Sequence, residues 1–448
     1  MNHLRLVIAW LAASAALLAE PAPARPNILL ITCDNLGYGD LAMYHPASEI
    51  RTPHLDRLAA EGCRLTSFYT ASPTCTVSRA SLLTGRIPQR HGLENQLAGV
   101  AGNYGTGLDH DEILIAEVLR QAGYATGCFG KWNIGFAPGS RPTERGFDEF
   151  AGHASGNLDY FRHNYRERHD LYRGIGEWHA EGEYVTDLFA DAAIAFIRTH
   201  RDGGPWFAYL PFNAPHFPIA GNKPPGEPNI YQAPDDAFTE IGLPPAETDP
   251  RKRYAAVVYA LDKAIGRVLA TLDETGARED TFVFFFSDNG AFRLGRDGLD
   301  VGRNTPLRSG GVTCWEGGLR VPALARWPGK IAPGSVVAEP LWSPDLFVAA
   351  ATLAEAPLPG DRVIDGRDPL PVLTGAGTSP HRSFFFCYRT HAALRMEEWK
   401  IVREKPDHPW QLFHLAEDIG EEQDLAGAHP GRRDALAAEF ARWTDGFE

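Results

Sequence analysis

Asn27-Ile28-Leu29-Leu30-Ile31-Thr32, followed almost at once by Asp34-Asn35, is the stretch from which the fold is read. Its unbroken apolar run has the length of a strand buried on both faces. Thr52-Pro53-His54-Leu55-Asp56-Arg57-Leu58-Ala59-Ala60-Glu61-Gly62 then reads as a helix, with proline near its start and glycine at its end. Further apolar runs at 125–130, 206–210 and 281–287 predict strands, and periodic stretches at 112–122, 184–200 and 251–275 predict helices. Strands alternating with helices predict an α/β fold: a mostly parallel central sheet flanked by helices. Ligands of such sheets collect at the carboxyl ends of the strands. The polar residues fall there: Asp34-Asn35 after the first run, Lys131 after the second, and Asp288-Asn289 after the phenylalanine-rich one.

Asp34, Asn35, Asp288 and Asn289 offer oxygen donors with no imidazole, a set that suits calcium or magnesium better than zinc. Taken singly, such residues are ordinary turn-formers. Cys75 is the second point of interest, because Pro73 and Thr74 open a helix-like run that continues Cys75-Thr76-Val77-Ser78-Arg79 and Ala80-Ser81-Leu82-Leu83-Thr84-Gly85-Arg86. A free cysteine is ordinarily a small buried hydrophobe. At a helix start, with Thr74 placed to cap and Arg79 returning to the same face, the position favours an anion of sulfate or phosphate type.

The run from Cys75 through Arg79 to Leu82-Leu83-Thr84-Gly85-Arg86 resembles the signature of the sulfatases of the alkaline-phosphatase-like superfamily: Cys or Ser, any residue, Pro or Ala, any residue, Arg, then this continuation. The resemblance extends from Pro26 to the end of the chain and implies the alkaline-phosphatase-like fold. In that family the cysteine is converted to formylglycine, whose hydrate attacks sulfur. The resemblance therefore implies that Cys75 is a nucleophile precursor, Arg79 its stabiliser, and Asp34, Asn35, modified Cys75, Asp288 and Asn289 the shell of a calcium ion, with magnesium as the alternative. Lys131, in Gly130-Lys131-Trp132-Asn133-Ile134-Gly135, would touch a sulfate oxygen, and His216, in Ala214-Pro215-His216, would protonate the leaving alcohol.

Four positions depart from the family pattern. Val77 replaces Pro or Ala, Asn35 replaces an aspartate, Asn133 replaces the histidine that helps expel sulfate, and Gly311 stands where a substrate-binding lysine is expected. An amide cannot take a proton near neutral pH. Arg303, Arg308, His153 and His163 are the candidates to supply the lost charge or proton transfer. The activity implied is an exported sulfatase acting on a sulfated carbohydrate or aryl sulfate, with a formylglycine-generating enzyme as its maturation partner. Two other readings stand beside it: a phosphonate or phosphate ester hydrolase, and a catalytically impaired binding protein.

The 448-residue chain is long enough for a large core and a smaller second unit. Its net charge of −14 argues against a nucleic-acid surface, so an anionic substrate must be held by local charge. Residues 1–24 read as a signal peptide: Arg5, an apolar run over 6–18, then Ala22-Pro23-Ala24. That run is too short for a transmembrane helix, so a periplasmic or secreted protein without stable membrane insertion is expected. Six scattered cysteines without CxxC spacing predict neither a zinc site nor an assignable bridge. Glycine- and proline-rich segments at 211–248 and 291–313 read as active-site loops. A boundary near 370–382 divides a catalytic domain, 26–375, from a C-terminal antiparallel sheet plus helix, 376–448.

Overall fold

The computed structural model describes residues 25–97, 107–218, 230–295 and 299–447, so the signal peptide expected over 1–24 lies outside the described residues. The main strands are β1 (Asn27–Cys33), β2 (Cys63–Tyr69), β3 (Ala125–Lys131), β4 (Glu149–His153), β5 (Trp206–Pro211), β6 (Thr281–Ser287) and β7 (Arg320–Arg326). They form the body of an eleven-stranded sheet in the order β2-β7-β6-β1-β5-β3-β4, with short strands at either edge. The run from β6 to β4 is parallel throughout; β7 alone reverses, antiparallel to both β6 and β2.

Alternation along each strand splits the core into two layers. Leu29 and Ile31 of β1 face helices α1 (Pro53–Glu61), α4 (Val185–His200) and α5 (Pro250–Glu274). Ile28 and Leu30, with Phe282, Phe284 and Phe286 of β6, face α2 (Cys75–Thr84), α3 (Ile115–Gln121) and α6 (Asp345–Leu353). Burying each such side chain contributes roughly 2 kcal/mol. The predicted strands and helices are all present. β2, β4 and β7 were not expected: β7 carries Pro322, which normally argues against a strand, but the register shifts between Val321 and Ala323, where no ladder N–H is needed.

The C-terminal portion is an antiparallel sheet of β8 (Ser383–Tyr388), β9 (His391–Met396), β10 (Trp399–Arg403) and β11 (Gln411–His414), with α7 (Pro430–Asp445). One face, including Leu394, Ile401 and Leu412, packs on Leu436 and Phe440 of α7. The other, including Phe384, Phe386 and Tyr388, packs on Tyr69, Trp315 and Trp342 of the large body.

A buried ionic network pins this junction. Lys400 Nζ lies 2.9 Å from Glu316 Oε1 and 2.8 Å from Glu421 Oε1, all three side chains being fully buried. The Tyr69 hydroxyl donates to Glu316 Oε2 at 2.6 Å, and Arg320 lies 3.3 Å from the same oxygen. Burial pushes Glu316 upward, yet Lys400, Arg320 and Arg395 together hold it below the usual carboxylate range. Removing the shared cation strips the buried Glu421 of its ion-pair partner and leaves Glu316 to Arg320 and the Tyr69 hydroxyl. Lys400→Ala is therefore expected to lower the unfolding free energy by about 3–5 kcal/mol, read from chemical denaturation; a loss below about 1 kcal/mol would show that the network is dispensable.

Candidate active site

The parallel register brings four strand ends to one level. Cys33 pairs with Ser287, and Lys131 pairs with His153. Just beyond the ladder, Asp34 N–H donates to the Ala214 carbonyl at 3.0 Å and Asp288 N–H to the Cys33 carbonyl at 2.9 Å. These two bonds tie the ends of β1, β5 and β6 together, and with them Asp34, His216 and Asp288. Asn35 makes the turn after Asp34 at φ 67°, a left-handed conformation that asparagine tolerates well.

Two buried cations face two buried carboxylates here. Arg79, one turn into α2, holds Asp288 Oδ2 through Nε at 2.9 Å and Nη2 at 2.7 Å, and its Nη1 donates to the Lys131 carbonyl at 3.0 Å. Lys131 forms a short ion pair with Asp34. Burial first, then the Asp34 charge, pushes the Asp288 carboxyl upward, against the pull of Arg79 and Lys131.

The site's residues also fit a cation. The Asp34, Cys75 and Asp288 donor atoms lie within 4.8 Å of one another. Asp34 Oδ1 and Asn289 Oδ1 are buried and lack a hydrogen-bond partner among the described residues. Asn289 Nδ2 donates to Asn35 Oδ1, which sets the two amides side by side. Buried oxygens without donors, beside a carboxyl raised by burial, are what a hard divalent ion would relieve.

Cys75 is the first residue of α2 and is 2% exposed. Thr74 precedes it as the expected cap, but its side chain makes no capping bond. Gln96 takes that role: its Oε1 accepts from Thr76 N–H at 3.1 Å and from the Cys75 thiol at 3.5 Å. Gln96 Nε2 then donates to Asn133 Oδ1 at 3.2 Å, so one amide joins the cysteine to the position where a histidine was expected. Burial pushes the Cys75 thiol up to about 11 despite Lys131, so a thiolate is scarce at neutral pH. His216 follows a cis Ala214-Pro215 bond, and its Nδ1 lies 2.6 Å from the Phe217 carbonyl oxygen. Burial and then Lys131 lower this ring to about 3.

The Sulfatase family model matches residues 26–356 of the chain. The N-acetylgalactosamine-6-sulfatase of Rattus norvegicus is 35% identical over 428 residues, covering 92% of this chain and 78% of that protein. The chain belongs to the sulfatase family. The steryl-sulfatase of Mus musculus is 34% identical, covering 89% of this chain and 72% of its own. Among solved structures, Ps i-CgsB in complex with k-i-k-neocarrahexaose superposes with a TM-score of 0.83 at 30% identity, covering 94% of this chain and 92% of that one. This sulfatase is accordingly a sulfuric ester hydrolase with the mixed α/β fold of its relatives.

Every site residue expected from sequence converges on this one end of the sheet. The expected compensators divide. Arg308 stacks on Trp315 at 3.7 Å and donates to the Glu421 carbonyl, and His163 Nε2 lies 2.9 Å from the Glu183 carbonyl oxygen, so both are engaged elsewhere. His153, fully buried beside Lys131, stacks on Phe189. The reason for Gly311 is steric. A Cβ there would lie 2.1 Å from Phe292 Cδ1, so the Phe292 ring fills the space into which a side chain would grow. That ring also meets His216 edge-on at 6.0 Å between centroids. Sequence reading missed Gln96, Phe292 and Tyr388, whose ring lies beside Thr74 and Cys75. Only the bare Gly311 hinted that something else occupied the space.

Gly311→Lys alone is expected to overpack the site and cost about 1–3 kcal/mol of stability. Adding Phe292→Ala should recover most of that loss. Thermal melts of the single and double variants measure it, and an undiminished melting temperature in the single variant would contradict the steric account.

Proposed function

We propose that this sulfatase desulfates a carbohydrate ester, using formylglycine made from Cys75 and a calcium ion, with magnesium as the alternative, held by Asp34, Asn35, modified Cys75, Asp288 and Asn289. The observation that carries the proposal is the buried set of Asp34, Asp288, Arg79 and Lys131 around the Cys75 side chain. A carbohydrate is favoured because two relatives are an N-acetylgalactosamine-6-sulfatase and a protein crystallised with a neocarrahexaose. Export to the periplasm or beyond belongs to the same proposal and rests on residues 1–24.

When bound, the ion supplies Lewis-acid stabilisation of sulfate oxygens, and the formylglycine supplies an oxygen nucleophile. The protein's own groups do the rest. Lys131 presents an ammonium to the sulfate, and Arg79 fixes Asp288 while adding positive potential. His216 is neutral before substrate arrives; its Nδ1–H donates to the Phe217 carbonyl, leaving the Nε2 lone pair. An anionic ester opposes the field of Lys131 and raises the ring toward its protonated form, which can then donate to the departing alcohol. Asn133, held by Gln96, orients the site by hydrogen bonds but carries no proton.

Because Cys75 is buried within the packed helix and its thiol is held neutral, its oxidation by a formylglycine-generating enzyme must precede packing of α2. Mass spectrometry of the peptide containing position 75, from protein made in its native host, is expected to show aldehyde in place of thiol, and Cys75→Ala is expected to abolish sulfate ester turnover. An unmodified thiol in protein that still turns over sulfate esters would sink the proposal. Phosphate esters, run in parallel, should turn over far more slowly.

Without a histidine at position 133, release of sulfate is expected to be the slow step. Stopped-flow assays should show a burst of alcohol followed by a slower steady rate. Asn133→His should raise that steady rate at least about tenfold, within the range of general acid–base contributions. Progress that is linear from the first turnover would count against this order of steps.

A further inference from the structure

Between β4 and α4 the chain makes two small ladders, Asn164–Tyr165 with Arg168–His169, and Tyr172–Arg173 with Gly176–Glu177. The second joins the edge of the main sheet through β4. His169 ends the first ladder, and His179 and Glu181 follow the second. Their ligand atoms lie within 4.8 Å of one another. Glu181 Oε1 is 3.0 Å from His179 Nδ1 and 3.8 Å from His169 Nδ1, and the two imidazoles sit 4.4 Å apart, tilted by 30°. Tetrahedral zinc, with ligands at about 2.0–2.2 Å, places donor atoms about 3.3 Å from each other, so the spacing suits one ion.

The outer nitrogen of His169 is already engaged. His169 Nε2 lies 3.1 Å from the Leu171 carbonyl oxygen and 3.0 Å from that of Trp178. Facing two acceptors, Nε2 must carry the proton, which leaves the Nδ1 lone pair turned toward Glu181. His179 Nε2 lies 3.6 Å from Glu177 Oε2, too long for a hydrogen bond but near enough for the carboxylate to attract the ring's outer N–H. Ligand histidines in metal sites are held in this way, by a carbonyl or carboxylate on the second nitrogen. The scaffold is firm without an ion: Trp178 N–H donates to the Leu171 carbonyl at 2.9 Å, and Arg173 stacks on Trp178 at 4.1 Å.

We propose that His169, His179 and Glu181 form a second metal site, specific for zinc or a similar transition ion, with Glu177 orienting His179. Two imidazoles and one carboxylate select such ions over calcium, in contrast to the oxygen donors at the catalytic centre. His179 and Glu181 keep 61% and 55% of their side-chain surface exposed, which leaves the fourth position open to water. His169 also lines a cavity of about 350 Å³ with Tyr165, Tyr172 and Arg141, floored by Ala154 and Ser155. Those two residues directly follow His153 at the end of β4, so the ion staples one wall of a cavity beside the catalytic end of the sheet.

The test is calorimetric titration of the full chain with zinc chloride in saturating calcium, with thermal melts alongside. One zinc per chain is expected, with a dissociation constant of about 1 μM or tighter and a higher melting temperature on binding. His169→Ala and His179→Ala should each weaken binding at least about tenfold, Glu177→Gln about tenfold, and Asp288→Asn not at all. Melts without zinc verify that the variants fold. Wild-type binding weaker than about 1 mM, equal binding by wild type and both histidine variants, or loss of binding only in Asp288→Asn, would overturn the proposal.

Discussion

Two carboxylates and two cations, all shut away from water, set the terms for this molecule. Asp34, Asp288, Arg79 and Lys131 each forfeit several kcal/mol of hydration by being buried, and only near-ideal pairing recovers it. The parallel sheet supplies that pairing. Strands β1, β5 and β6 end at one level, and backbone bonds from Asp34 and Asp288 lock the ends together, so the charges meet with little freedom to separate. Arg79 arrives from α2, whose first residue is Cys75, and the same pairing that holds Asp288 therefore fixes the place of the Cys75 side chain.

The half of this arrangement carried by the sheet was legible in the sequence. Buried parallel strands are mostly apolar, so the charged residues at their carboxyl ends, Asp34, Lys131 and Asp288, point to the ligand-facing edge when taken together. What escaped was set by packing between distant segments. Gln96 sits in a loop with no periodicity, and its importance lies in three hydrogen bonds to residues far away in the chain. β7 was hidden by Pro322, which is harmless only because the ladder is irregular at that point. Phe292 lies in a segment read as a loop, and nothing in its neighbours announces that its ring fills the space over Gly311.

Two of the four departures from the family pattern come with a matching partner. Asn133 is met by Gln96, one amide bonded to another, and Gly311 by the Phe292 ring. In the first case an amide pair stands where a titratable ring was expected, and in the second an apolar ring fills the space of the expected lysine. The consequence is a site whose positive potential is concentrated in Arg79, Lys131 and the divalent ion that the oxygen donors suit. Of the histidines weighed for proton transfer, His216 and His153 both lie near the Lys131 charge.

The C-terminal sheet lies beyond the residues matched by the family model, yet Tyr388 from that sheet lies beside Thr74 and Cys75, and Lys400 anchors it to Glu316. During synthesis, Cys75 leaves the ribosome long before either of those residues exists. Until these strands arrive, the nascent body lacks Tyr388 beside Cys75 and the Lys400 ammonium beside Glu316, leaving Arg320 as the near cation of that carboxylate. The segment that completes the surroundings of Cys75 is thus translated well after the cysteine itself, so the thiol's final environment depends on contacts distant in sequence.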